Sequence, residues 1–153
     1  MRTLEDFSPG EIIPLRPYTV TETEMIDFAR RYDPQDYHTD PAAAADSPFG
    51  GLIASGWLTA AIFMRMQCDS FMRDSACVGS PGVDELRWLA PVRAGDTLSG
   101  CCEVTDVVPS RSRPDRGAVL SRVVIDNQDA TRVMTLVTRA LYLRRHGNTP
   151  QRP

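Results

Sequence analysis

The sequence predicts one α+β domain in which an antiparallel sheet wraps around a long buried helix. Three observations carry that expectation. The stretch from Leu52 to Met66 is apolar nearly all round its helical projection. Four strand-like segments follow one another after Gly79. The 153 residues suffice for one domain and would crowd two.

Taken in order, Gly10 to Val20 has strand character, and Thr21 follows it as a good helix N-cap with Glu24 three residues on, a capping-box signature. Met25, Ile26, Phe28, Ala29 and Tyr32 then fall at helical spacing, which predicts an amphipathic helix to about Arg31. Pro34 disfavours helix at Asp33 and opens a loop. Asp40-Pro41-Ala42-Ala43-Ala44-Ala45 predicts a second short helix, capped by Asp40 with Pro41 at its first position, which Ser47-Pro48-Phe49-Gly50-Gly51 breaks. The apolar helix is expected to start near Ser55 or Gly56 and end near Arg73, buried on most sides, with Trp57 and the Leu58 to Met66 face packed inside the sheet.

Val83 to Ala90, Thr97 to Val108, Ala118 to Asn127 and Arg132 to Leu143 are the strand candidates, rich in Val, Leu, Thr and Cys between Pro, Gly and Asp. Ser110 to Gly117 and Asp126 to Thr131 fit hairpin loops. The domain is expected to span residues 1–143, with 144–153 a frayed polar tail. One sheet covers only one side of such a helix and leaves edge strands. A homodimer that extends the sheet is the natural solution, with higher homo-oligomers open.

A hydrophobic content of 42% and a charged content of 24% are those of an ordinary globular chain that buries its own core. The net charge of −3 and pI near 5.3 give no bulk attraction for nucleic acid or an anionic membrane surface, and neither is an expected partner. A local basic cluster at Arg111, Arg113, Arg116 and Arg122 fits either a solvated face or a contact with ligand phosphates. Cys68, Cys77, Cys101 and Cys102 lack metal-site spacing, so reduced thiols are expected. Met1 to Pro9 has no apolar core of a signal peptide, and no run approaches a membrane span, so a cytoplasmic location is expected.

With only two histidines, a His-dependent mechanism has one serious candidate. His146 falls in the polar tail, whereas His38 falls in the loop between the two short helices, bracketed by Asp33, Asp36 and Asp40. A single His with loop carboxylates makes a poor metal site, and none is expected. The helix start at Ser55-Gly56-Trp57 changes the picture. Its first N–H groups lack partners and carry partial positive charge, and glycine permits close approach of a carbonyl oxygen. Ser55 can cap this helix. A carboxylate and an imidazole nearby would hold a water and move its protons.

Asp33, then His38 five residues later, then Ala44 six beyond resembles the signature of the MaoC-like hydratases, the (R)-specific enoyl-CoA hydratase group of the hotdog superfamily. Gly56 matches the glycine that opens the central hotdog helix, and Pro91-Val92 followed by Gly95-Asp96-Thr97-Leu98 resembles the family's turn after a strand. The likeness covers about Gly10 to Leu143. Gln35-Asp36 stands where the family usually has Asn-Pro, with the proline moved to position 34.

The resemblance implies a hotdog fold and a dimer that binds an acyl-CoA thioester. Asp33 and His38 would activate water toward a trans-2-enoyl thioester, and the Gly56 amide would polarise the thioester carbonyl. Phe49, Ser55 and Trp57 are expected around the substrate, and Arg111 and Arg113 near coenzyme A phosphates. Coenzyme A enters as substrate carrier, and no separate cofactor is implied. Two other readings stand beside this one: a hotdog thioesterase, and a non-catalytic acyl-binding hotdog subunit.

Overall fold

The computed structural model describes residues 1–145. Five strands form one antiparallel sheet in the order β1-β3-β4-β5-β2. They are β1 (Ile12–Thr19), β2 (Cys77–Trp88), β3 (Thr97–Pro109), β4 (Arg116–Asp126) and β5 (Arg132–Leu143). Four helices lie between β1 and β2: α1 (Glu22–Tyr32), α2 (Asp36–Thr39), α3 (Pro41–Ala45) and α4 (Gly56–Ser70). Short 3-10 turns occupy Leu4–Asp6 and Met72–Asp74.

Local chemistry sets the helix ends. The Thr21 hydroxyl accepts from the Glu24 N–H at 3.2 Å and so caps α1. The reciprocal half of the expected capping box is not made, because the Glu24 carboxylate instead accepts from the Tyr18 hydroxyl of β1 at 2.6 Å. Asp40 caps α3 as expected, accepting from the Ala42 and Ala43 N–H groups with Pro41 at the first position.

The core is built by one face of α4 against the sheet. Leu58, Ile62, Phe63 and Met66 recur at helical spacing and meet Leu15 of β1, Leu98, Cys102 and Val104 of β3, Val123 and Ile125 of β4, and Met134 and Tyr142 of β5. The expectation that α4 is buried on most sides is corrected. Trp57 is 60% exposed and Met64 46% exposed, because a single sheet covers one face and these residues lie on the other. Trp57 therefore does not pack inside the sheet.

β2 departs most from its expected bounds, beginning at Cys77 rather than Val83. Its early residues Gly79, Ser80, Pro81 and Gly82 are poor strand formers, yet Gly79 and Gly82 pair with Leu141 and Arg139 of β5 on either side of a register shift. Pro81 falls within that shift with no register partner on β5, a position that an edge strand tolerates. Two positions of the expected polar tail are tied down. Arg144 and the Arg145 N–H both bond the Glu5 carboxylate at 2.9 Å, which holds that carboxyl down at about 2. The rest of the tail, with His146, lies outside the described residues.

All four cysteines are free, and burial pushes the Cys102 thiol up to about 12. No helix among the described residues is long and apolar enough to cross a membrane.

Candidate active site

Pro34 ends α1 as its sequence requires, leaving Asp33 at the C-cap. The chain then makes one helical turn, α2, so His38 sits on a short helix rather than in an open loop. Only 5% of His38 is exposed, so it is a buried side chain despite its carboxylate-rich, polar neighbourhood in sequence. Its position is fixed from both directions by residue 53: the Ile53 N–H donates to the Tyr37 carbonyl at 3.2 Å, and His38 Nδ1 lies 2.8 Å from the Ile53 carbonyl oxygen. A carbonyl only accepts, so Nδ1 carries the hydrogen of that bond. In the neutral ring Nε2 is then a free acceptor. It faces Asp33 Oδ2 at 3.4 Å.

Asp33 is held by two donors. The Ser55 hydroxyl donates to Oδ2 at 2.7 Å, and Gln35 Nε2 donates to Oδ1 at 2.7 Å. The Ser55 bond, then the Gln35 bond and the His38 imidazole, hold the Asp33 carboxyl below the usual carboxylate range, although burial opposes them. Gln35 is in turn bonded through its Oε1 by the Tyr37 hydroxyl. The Tyr37 ring stands edge-on to His38 with centroids 4.5 Å apart, and lies 5.2 Å from the Phe49 ring.

Ser55 also caps α4: its oxygen accepts from the Trp57 N–H at 3.3 Å while its hydrogen goes to Asp33. It is fully buried, so its hydroxyl faces protein rather than a ligand. The Gly56 N–H has no acceptor among the described residues. Gly56 is required sterically as well, since a Cβ built there would stand 2.6 Å from Trp88 Cε2. Trp88, at the end of β2, thus lies directly on the start of α4, with Trp57 edge-on to it at 5.2 Å.

A cleft of about 320 Å³ opens over these groups, with His38 and Gly56 in its wall beside Tyr37, Phe49, Trp88 and Leu89. Asp33 is not among the wall residues; it meets the site through His38 and Ser55. Arg93 shapes the Phe49 side by donating to the Phe49 carbonyl at 2.6 Å and the Leu52 carbonyl at 3.4 Å. Among the described residues no three His, Cys, Asp or Glu side chains gather closely enough to hold a metal ion.

Of the residues singled out from sequence, the structure gathers Asp33, His38, Ser55, Gly56, Trp57 and Phe49 into this region. Arg111 and Arg113 are exposed on the β3–β4 loop. That loop follows the pairings Pro109 with Gly117 and Arg116 with Leu143, at the sheet end opposite Trp88 and its partner Met134. Trp88, Tyr37 and Arg93 were not anticipated. Trp88 carries no signal in its own segment, since only the pairing of β2 with β5 brings it over Gly56.

The chain matches the MaoC like domain family over residues 7–125. A crystal structure of the MaoC-like dehydratase from Rhodospirillum rubrum superposes with a TM-score of 0.85 at 38% identity, covering 94% of this chain and 98% of that one. Nodulation protein N of Rhizobium meliloti is 35% identical over 101 residues, 64% of this chain and 63% of that protein. The 3-hydroxyacyl-thioester dehydratase Z of Mycobacterium tuberculosis H37Rv is 32% identical over 91 residues, 58% of this chain and 60% of that protein. With the fold and the sequence match in agreement, this chain belongs to the MaoC-like dehydratase family of hotdog proteins.

Proposed function

We propose that the protein is a hydro-lyase that adds water reversibly across the double bond of a trans-2-enoyl-CoA or related thioester, giving a 3-hydroxyacyl thioester. One observation carries the reading: His38 Nε2 and Asp33 Oδ2 face each other 3.4 Å apart beside the helix-start Gly56 N–H, which has no acceptor among the described residues. When the ring is neutral both atoms are acceptors, suited to a water that donates to both and leaves its oxygen lone pair free to attack.

In the hydration direction the water oxygen bonds to the β-carbon and gives a proton to the dyad. The double-bond electrons move through the α-carbon onto the thioester oxygen, where the Gly56 N–H and the α4 terminus stabilise the enolate charge. The dyad then returns a proton to the α-carbon. Ser55, bonded to the carboxylate, orients Asp33 for this work.

The same reading takes the protein as a homodimer. Trp57, Met64, Val83 and Trp88 leave an exposed apolar band along α4 and the open β2 edge. Antiparallel pairing of two β2 edges about a two-fold axis would bring the second copy's β3–β4 loop to the sheet end that carries this chain's cleft. Arg111 and Arg113 of that copy would then be on the correct side for coenzyme A phosphates.

Purified protein with crotonyl-CoA tests the function. Loss of enone absorbance without release of free thiol supports hydration. Thiol release in its place would make the protein a thioesterase, and neither signal would favour an acyl-binding subunit.

A further inference from the structure

Building on the proposed role of Asp33, we infer that Gln35 and Tyr37 form a positioning pair that sets the plane of the Asp33 carboxylate. A carboxylate held at one oxygen can turn about its last torsion, which is broad and roughly two-fold. Asp33 is held at both: Ser55 donates to Oδ2 and Gln35 Nε2 to Oδ1, each at 2.7 Å. With the two donors on different oxygens, the plane is defined and Oδ2 stays opposite His38 Nε2.

Gln35 is exposed, and an exposed side chain is free to swing away from the carboxylate into solvent. Tyr37 removes that freedom. Its hydroxyl donates to Gln35 Oε1 and anchors that end of the amide while the NH₂ end bonds Asp33. The Tyr37 ring is itself placed by the cleft, edge-on to His38 and against Phe49. The four side chains close a circuit: Asp33 to Gln35, Gln35 to Tyr37, Tyr37 to His38, and His38 back to Asp33. A substrate that displaces the Tyr37 ring would therefore alter the carboxylate as well as the wall.

The groups around Asp33 leave Gln35 a distinct effect on its ionisation. His38 of α2 is the titratable side chain that lowers it, and α4 presents the uncharged Ser55 hydroxyl. Arg30 and Arg31 lie in the last turn of α1 itself.

The test uses Q35A, Q35E and Y37F, with the Asp33 carboxyl titrated by carbon-detected NMR and kcat and KM measured against pH on crotonyl-CoA. Q35E separates the donor from mere bulk. It keeps the size of Gln35 and an acceptor for Tyr37, but presents an oxygen to Asp33. The pair predicts that Asp33 titrates at higher pH in Q35A and higher still in Q35E, with a smaller shift in the same direction in Y37F. The acid limb of kcat should follow. Q35E should lose about tenfold in kcat with KM little changed, the scale of one hydrogen bond to a charged group. An unmoved Asp33 titration in Q35E overturns the inference, even if D33N is inactive. An active D33N overturns the catalytic reading instead, and leaves the titration to report on the pair alone.

Discussion

The Ser55 hydroxyl bonds the Asp33 carboxylate at 2.7 Å across 22 positions of sequence, and it does so while capping α4. One side chain thus joins the carboxylate of the proposed dyad to the helix start that bears the Gly56 amide. S55A should therefore damage both. It removes the largest cause of the lowered Asp33 ionisation, so the acid limb of kcat should move to higher pH. Loss of the cap should cost about 1 kcal/mol of stability, read from urea melts. An unchanged pH profile would mean that Ser55 is a cap alone.

The proposed dyad of Asp33 and His38 gives the strongest kinetic prediction. H38A and D33N should each lower kcat/KM for crotonyl-CoA hydration by about 100-fold or more, the usual scale for general acid–base groups. Near-normal turnover in either variant would remove that residue from the mechanism.

Asp33 also makes stability depend on pH with a definite sign. Its folded-state ionisation is shifted below the ordinary value of 3.8, so the folded state favours the carboxylate. The resulting stability is present above that value and is lost as pH falls through the folded-state one. Chemical melts from pH 7 downward should show the wild-type advantage over D33N shrinking only in that acid range. A difference that is flat through the acid range would contradict the assigned bonds.

Trp88 and Gly56 should be coupled. G56A places a methyl 2.6 Å from the indole, so it should lower both stability and activity. Because the clash is with a side chain, W88A should relieve part of the stability loss in the double variant, as a double-mutant cycle would show. Additive losses would place the strain elsewhere.

Phe63, 3% exposed among the sheet residues, tests the core. F63A should cost about 3–5 kcal/mol in denaturant melts. A loss below about 1 kcal/mol would mean that α4 does not anchor the fold.

The β2 edge tests assembly. Wild-type protein should run as a dimer in light scattering, and V83K should shift it toward monomer by placing a charge on the exposed edge. A monomeric wild type would refute the two-copy arrangement.

The features legible before any coordinates are those whose causes are local. The Thr21 and Asp40 caps, the stop at Pro34, the start of α4 near Ser55 and the three long strands after Gly95 all follow from residues a few positions apart. The family signature at Asp33, His38 and Ala44 was legible for the same reason, since fixed spacing survives without coordinates. Tertiary structure alone decided what depends on contact between distant segments. Burial of His38 depends on Ile53, and the orientation of Asp33 on Ser55. Pairing with β5 recruits Gly79 to Gly82 into β2 against their own propensity and brings Trp88 over Gly56. Trp57 is apolar and lies in the most apolar helix, yet it is exposed, because one sheet can cover only one face of α4. Hydrophobicity states how much surface a residue would hide; only the arrangement of the other elements decides which residues are hidden.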